Sequence, residues 1–164
     1  MSELIMGIDP GESTGWSLWA LEPDLPIQRL EYGLIHGGLK GFVSFMEIRL
    51  GRLHPTTIVC EKFNENDGRV ALGSLIPLPI EGAIYAMASA LGIELVMQPT
   101  SMKDLCRDSV LKEFGLYITN AEARENPHIK WKDARDVNDS QMHALAFAKS
   151  IGHDPTIEAF WPDV

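Results

Sequence analysis

The chain has 164 residues, a mass of 18.2 kDa and 45% hydrophobic residues, which predicts one globular domain with a proper core. No apolar stretch approaches the roughly 18 residues that a membrane span needs, and Met1-Ser2-Glu3 lacks the basic start of a secretory signal. We therefore expect a soluble, cytoplasmic protein. The net charge of -9 argues against indiscriminate binding to nucleic acid, because attraction to phosphate needs local positive potential.

The first part of the chain predicts strands joined by tight turns, then a helix and a further strand. Apolar runs bounded by Pro and Gly predict strands at 4–9, 16–21 and 30–36. Between Leu39 and Leu53 the apolar residues recur every three or four positions, which indicates an amphipathic helix. The run 56–61 is short and nearly all apolar, as expected of a central strand covered on both faces.

The second part alternates helices and strands. An apolar stripe predicts a helix from Ile80 to Leu91, with Pro77 and Pro79 limiting its extension towards the N-terminus. A strand at 93–97 follows, and then a single helix to Phe114 that Thr100 or Ser101 would cap. Residues 116–135 show little periodicity and predict an irregular segment, and the last helix is predicted at 136–151.

This order of elements predicts an α/β fold, with a mixed sheet flanked by helices. We assign residues 1–152 to one domain and residues 153–164 to a C-terminal tail. The two cysteines, Cys60 and Cys106, have no metal-type spacing and are predicted to be reduced thiols in the core.

Four acidic residues lie at boundaries where folding could gather them. Asp9 ends the first predicted strand, Glu61 ends the fourth, and Asp136 and Asp139 begin the last helix. Mg²⁺ and Mn²⁺ prefer oxygen ligands, and two such ions about 3.5–4 Å apart can activate a water and stabilise the leaving oxygen of a phosphoryl displacement. The pattern predicts that these acids bind two Mg²⁺ or Mn²⁺ ions and catalyse phosphodiester cleavage.

Each acid also has a plainer interpretation. A carboxylate within an apolar strand costs roughly several kcal/mol if it is buried without a partner, which favours a functional Asp9, yet Asp9 could simply start the turn with Pro10. Glu61 could be a surface residue that ends its strand. Asp136 and Asp139 could cap a helix, although their spacing places both on one face.

Two further residues are possible auxiliaries. His143 lies four residues after Asp139 on the same predicted face and could act as a base or a ligand, although a packed histidine is the commoner case. Asp133 offers a second way to pair acids three residues apart, with Asp136. We prefer Asp136 with Asp139, because that pair directly precedes the apolar stripe.

The sequence resembles the RuvC-like Holliday junction resolvases of the RNase H-like superfamily, particularly the short phage-encoded forms. The matching segments occur in order along nearly the whole chain: Gly7-Ile8-Asp9-Pro10-Gly11 with Thr14-Gly15, Val59-Cys60-Glu61, Pro99-Thr100-Ser101-Met102-Lys103, and Asp136-Val137-Asn138-Asp139 before Ala144-Leu145-Ala146. Each segment is short, but four in the correct order are a specific signal.

The resemblance implies an RNase H-like fold with a five-stranded mixed sheet, and a homodimer that makes paired cuts across four-way DNA junctions. The overall acidity of the chain favours a broader tolerance for other branched DNA. It implies two-metal hydrolysis by Asp9, Glu61, Asp136 and Asp139. The expected DNA-binding residues are Lys62, Phe63, Arg69, Lys103 and Arg107, with Phe63 as the aromatic that probes the junction core. A phage enzyme of this kind would act in the host cytoplasm.

Two other functions fit parts of the sequence. A protein that kept the fold could bind branched DNA without cutting it, and only an activity measurement separates that case from a nuclease. The spacing of Asp9, Gly11 and Thr14-Gly15 is also similar to the phosphate-binding hairpin of sugar kinases and actin-like ATPases. Those proteins enclose a nucleotide between two such domains, whereas a chain of 164 residues is long enough for only one.

Overall fold

A computed structural model describes residues 2–63, 75–130 and 134–162. In chain order the elements are β1 (Glu3–Asp9), β2 (Ser13–Glu22), β3 (Leu25–His36), α1 (Gly38–Leu53), β4 (Thr57–Glu61), α2 (Pro77–Leu91), β5 (Glu94–Gln98), a 3₁₀ helix (Thr100–Leu105), α3 (Asp108–Glu113), α4 (Asn120–Glu125), α5 (Arg135–Ser150) and α6 (Asp154–Phe160). The strands form one sheet in the order β3-β2-β1-β4-β5. The predicted mixed five-stranded sheet flanked by helices is confirmed. Within the described ranges, every helix is too short or too polar to cross a membrane.

The sheet places the ends of three strands at one edge. β1 pairs with β2 in antiparallel and with β4 in parallel orientation, and β4 pairs in parallel with β5. The register Ile8 with Cys60 and Glu61 with Gln98 brings the last residues of β1, β4 and β5 side by side. Parallel central strands are covered on both faces, which explains why β4 is almost entirely apolar.

Helices cover both faces of the sheet. On one face, α1 and α2 pack on a core that includes Met6, Phe42 and Ile84. On the other face, α5 packs on a core that includes Ile5 and Leu145. Since side chains alternate along a strand, the positions that share the α5 face with Ile5 in β1 are 7 and 9.

Two glycines let α5 lie directly against the sheet. A Cβ atom at Gly15 would be 1.8 Å from the carbonyl oxygen of Asp136, and one at Gly7 would be 2.2 Å from the carbonyl oxygen of Ser140. Neither distance is possible for real atoms, so any side chain at these positions would push the helix away. The glycines therefore fix the distance of the first turns of α5 from β1 and β2.

Two sequence predictions for helices are wrong. α2 begins at Pro77 and contains Pro79, because the first turn of a helix has no internal partner for its N–H groups and tolerates proline. The single helix predicted up to Phe114 is a 3₁₀ helix and α3, separated at Cys106 and Arg107, whose backbones are not helical. Tertiary packing overrides helical periodicity there, because Cys106 is buried in the core beneath α5.

The segment predicted to be irregular contains α4, which begins with a capping box between Thr119 and Glu122. The chain on either side of α4 is tied to α5. The side-chain amide of Asn138 accepts a hydrogen bond from the N–H of Ile118 and donates one to its carbonyl, each at 2.9 Å. Asn120 accepts a hydrogen bond from the N–H of Ala134 at 3.0 Å. Hydrogen bonds from these side chains therefore hold a segment whose sequence shows little periodicity.

The segment after Gly152 docks on the sheet through α6. The buried hydroxyl of Thr156 accepts a hydrogen bond from the N–H of Ile27 at 2.9 Å, and the Phe160 ring lies 4.5 Å from the ring of Phe114.

Replacing Gly15 with alanine should destabilise the protein by about 3 kcal/mol, because overpacking of this kind costs about 1–3 kcal/mol and here the obstacle is backbone. The matched control is Gly82→Ala in α2, where a Cβ meets nothing within 4 Å. That variant should be more stable by about 0.5–1 kcal/mol, because alanine favours helix. Urea unfolding of both variants checks the prediction. Equal shifts of the two midpoints would contradict it.

Candidate active site

Three of the four predicted acids meet at one edge of the sheet. Asp9, Glu61 and Asp139 each offer a carboxylate oxygen, and these oxygens all lie within 4.8 Å of one another. Asp9 ends β1, Glu61 ends β4, and Asp139 lies near the start of α5. Asp9 follows Ile5 and Gly7 on the α5 face, and Glu61 follows the buried Val59 on that face, so strand alternation directs both carboxylates towards the helix.

Asp136 lies outside this cluster of three carboxylates. It is in the first turn of α5, where its carbonyl is pressed against Gly15, and Asp139 is the acid that reaches the cluster. The charge of Asp136 still acts on Asp9, since it is one of the charges that raise the pKa of that carboxyl. Asp136 and Asp139 therefore occupy different positions, although their spacing in the sequence predicted that both lie on one face of the helix.

Lys103 joins two of the carboxylates. Its Nζ lies 2.9 Å from Oε2 of Glu61 and 2.7 Å from Oδ2 of Asp139. It projects from the 3₁₀ helix that follows β5. Burial would lower the pKa of the Lys103 ammonium, but the bond to Asp139, its charge, and the bond to Glu61 outweigh burial and raise the pKa above its ordinary value. The Lys103 side chain therefore stays positively charged within the cluster.

Glu61 is held by three donors. Its Oε1 accepts a hydrogen bond from Thr100 at 2.7 Å, and its Oε2 faces Nε2 of His143 at 3.0 Å as well as Lys103. Burial would raise the pKa of Glu61, but the bonds from His143, Thr100 and Lys103 outweigh burial and hold the pKa well below its usual range. Glu61 is therefore ionised and fixed in orientation. The sequence identified Thr100 only as a helix cap, so its bond to Glu61 was missed.

Asp9 is in the opposite situation. Burial raises its pKa well above the ordinary value, and repulsion from Glu61 and Asp139 adds to that effect, while Lys103 offsets part of it. Among the described residues, the cluster thus has more negative charge than the ammonium of Lys103 balances. Hard carboxylate oxygens on rigid elements, with excess negative charge, are the donors that suit Mg²⁺ or Mn²⁺.

His143 supports Glu61 from within the core. Its ring is fully buried, with Nδ1 2.7 Å from Oε1 of Gln98 and Nε2 facing the Glu61 carboxylate. A carboxylate only accepts, so Nε2 carries the hydrogen. The amide nitrogen of Gln98 is buried with no hydrogen-bond partner among the described residues, and turning that amide over would let it donate to Nδ1 of a neutral ring. His143 is thus placed to orient Glu61.

The predicted DNA-binding residues are spread around the cluster. Lys62 and Phe63 leave β4 and line a recess of about 190 Å³ together with Asp9 and Glu61. The N–H of Phe63 donates a hydrogen bond to the carboxylate of Glu81 in α2, which sequence reasoning missed. Arg107 is exposed just before α3. Arg69 and Asp133 lie outside the described residues.

Asp139 also lines a second recess. This recess has a volume of about 270 Å³ and polar walls that include Tyr117, Asn120 and Arg135. Asn120 is held in place by its bond to Ala134. The three carboxylates of the cluster therefore line two recesses, Asp9 and Glu61 the first and Asp139 the second.

The solved structures that resemble this chain include Holliday junction resolvases. RuvC of Thermus thermophilus, in complex with a Holliday junction substrate, has a TM-score of 0.56 and 18% identity over 92% of this chain and 97% of that one. The fowlpox virus resolvase, in complex with Holliday junction DNA, has a TM-score of 0.57 and 13% identity over 91% and 99% of the two chains. The yeast mitochondrial Holliday junction resolvase Ydc2 has a TM-score of 0.59 and 13% identity over 93% and 82%.

The chain therefore has the RNase H-like fold of RuvC and other Holliday junction resolvases, over more than nine-tenths of its length. No protein-family model matches the sequence, and no curated protein is significantly similar to it. At these identities the likeness establishes the fold, and the expected fold is confirmed.

Asp9→Asn should stabilise the metal-free protein by about 1–2 kcal/mol at pH 7, a size typical of stabilising substitutions, because it removes a carboxylate that burial disfavours and two other carboxylates repel. An acid whose pKa is raised by folding loses stability as pH rises above its unfolded pKa of about 3.9. The gain should therefore vanish near pH 4 and grow as pH rises. Thermal unfolding with a chelator at several pH values checks this.

Asp24→Asn is the control, because Asp24 is exposed in the turn between β2 and β3. It should leave the unfolding midpoint nearly unchanged at every pH. A gain for Asp9→Asn that stays constant with pH would show that the folded protein does not repel the Asp9 charge.

Proposed function

We propose that the protein is a Mg²⁺- or Mn²⁺-dependent endonuclease that resolves four-way DNA junctions, and cuts other branched DNA, by phosphodiester hydrolysis. The observation that carries the proposal is the convergence of Asp9, Glu61 and Asp139 within 4.8 Å, at the sheet edge of a fold shared with Holliday junction resolvases. The neighbours from Thermus and fowlpox virus are themselves in complex with junction DNA, which supports branched DNA as the substrate.

Asp9, Glu61 and Asp139 would hold the metal, and Asp136, which acts electrostatically on Asp9, would complete the ligands of a second ion. Two bound ions supply an activated water and stabilise the leaving oxygen of the cut strand. The protein's own residues keep Glu61 ionised and orient the ligands. Thr100 and His143 fix the two oxygens of Glu61, and the close packing of α5 on Gly7 and Gly15 positions Asp139.

DNA binding has to overcome the net charge of -9. Bound divalent ions would neutralise the carboxylates locally, and Lys62, Arg107 and Arg69 would supply contacts to phosphate around the site. Lys62 and Phe63 line the recess beside Asp9 and Glu61, which supports contacts between these two residues and the strand that would enter the site. Phe63 would stack on a base at the centre of the branch.

We further propose that the enzyme acts as a homodimer. A four-way junction resolves only when two strands are cut, and the described chain gathers a single carboxylate cluster of this kind. Two copies related by a two-fold axis would present two such sites to a substrate that has the same symmetry.

Cleavage of synthetic four-way, forked, flapped and linear DNA, with and without Mn²⁺ or Mg²⁺, tests the function. We expect cutting of branched substrates only, and only with metal. Glu61→Gln should lower the rate by more than about 100-fold, because even residues that merely support metal ligands cost about 10- to 100-fold. The control Glu94→Gln removes the same charge at the other end of the parallel strands and should cut like the wild type.

Metal-independent cutting, or equal loss in both variants, would contradict the proposal. Tight binding of junction DNA by the wild type without any cutting would indicate a binding protein that kept the fold.

Phe63→Ala should weaken binding of a four-way junction by about 10-fold or more, because stacking of a base on an aromatic ring contributes about 1–3 kcal/mol. Binding to a linear duplex should change little. Fluorescence anisotropy in Ca²⁺, which is expected to permit binding without cleavage, provides the measurement. The control Phe114→Ala removes a partly exposed ring at the end of α3, away from the recess. Equal effects on junction and duplex would exclude a branch-specific role for Phe63.

A further inference from the structure

We propose that Lys103 is the counter-cation of the metal-free site, displaced from the carboxylates when a divalent ion binds and then available to the phosphate of the DNA strand. The inference rests on the proposed function and deepens it, because it gives one side chain two alternating partners. It concerns which cation, the ammonium or a divalent ion, binds the carboxylates. Its consequence, a change in the affinity for Mn²⁺, can therefore be measured without DNA.

The two cations would compete for the same carboxylate oxygens. Nζ of Lys103 lies 2.9 Å from a Glu61 oxygen and 2.7 Å from an Asp139 oxygen, and both residues belong to the cluster that would hold the metal. Mg²⁺ binds carboxylate oxygens at about 2.0–2.1 Å, so an ion bound to either of these oxygens would lie no more than about 5 Å from the ammonium. At that separation a dication and an ammonium repel strongly, because protein between them screens charge much less than water does.

The side chain has a route out of the cluster. Lys103 retains 20% of its side-chain exposure, so its ammonium is not sealed in the core. A lysine carries its charge on a flexible stem of four carbons, and its compact ammonium binds phosphate as a point charge. The recess lined by Asp9, Glu61 and Thr100 opens beside it, in the place where the strand to be cut would lie.

The surroundings explain why an ammonium is held there in the absence of metal. Asp9, Glu61 and Asp139 repel one another, and the ammonium bonds to two of them while its charge also acts on the third. A neutral side chain at position 103 would leave the three carboxylates without this compensation. The empty cluster would then attract a divalent ion more strongly than the wild-type cluster does.

Lys103→Met therefore has two effects of opposite sign. It should tighten binding of Mn²⁺ by about 10-fold or more, because an ion no longer competes with a charge within about 5 Å. It should also slow cleavage of a four-way junction at saturating Mn²⁺, because the phosphate contact is lost. A lysine that only contacted DNA, or only stabilised the fold, would give the second effect without the first.

The experiment is calorimetric titration of the metal-free protein with Mn²⁺, without DNA, at one pH and ionic strength. Lys62→Met is the matched control, because Lys62 lies beside Glu61 in the same recess but is exposed, and its removal should change the affinity by less than about 3-fold since solvent screens exposed charges. Lys103→Arg keeps the charge and should not tighten binding. If Lys103→Met does not fold, Lys103→Gln provides a second neutral side chain.

If Lys103→Met and Lys103→Gln bind Mn²⁺ as tightly as the wild type or more weakly, Lys103 does not compete with the metal ion. If these variants cut the junction at the wild-type rate, Lys103 does not move to the phosphate. Failure of the proposed function looks different. In that case the folded wild type binds no Mn²⁺, or Asp9→Asn binds it as well as the wild type does.

Discussion

Mutual repulsion among Asp9, Glu61 and Asp139 is the constraint on which the rest of the site depends. Three carboxylates within 4.8 Å oppose one another, and the raised pKa of Asp9, due first to burial and then to this repulsion, shows the strain. Loops would relax by moving the charges apart. Here two of the acids end strands that are paired on both sides, and the third is on a helix held against the sheet at Gly7 and Gly15, so the backbone cannot yield.

Glu61 and Asp9 illustrate two ways in which a fold treats a buried acid. Glu61 is given three donors, from Thr100, His143 and Lys103, and stays ionised despite burial. Asp9 has no comparable set of donors among the described residues, and its charge is disfavoured. A site with one fixed carboxylate and one that gains most from a new positive charge is well suited to bind a divalent cation. The Asp9 carboxylate therefore favours binding of a cation but destabilises the metal-free fold.

The supporting residues extend the site well into the core. His143 is fully buried and connects Glu61 at the end of β4 to Gln98 at the end of β5. Asn138, one residue before Asp139, clamps the backbone of Ile118 and so fixes the segment that lines the second recess. The same helix, α5, thus supplies a carboxylate to the cluster, orients a second carboxylate and organises the neighbouring chain.

Local patterns in the sequence were sufficient for the sheet, for α1, α5 and most of α2, and for the acids at the strand ends, because alternation and helical periodicity report directly which faces are buried. They also placed Asp9 and Glu61 at carboxyl ends that a parallel pairing brings together. The unequal positions of Asp136 and Asp139, the break at Cys106, the burial of His143 and the bridge from Lys103 could not be read in this way. Each depends on how α5 and the 3₁₀ helix lie against the sheet, and that distance is set by contacts between residues far apart in the chain, such as Gly15 with Asp136.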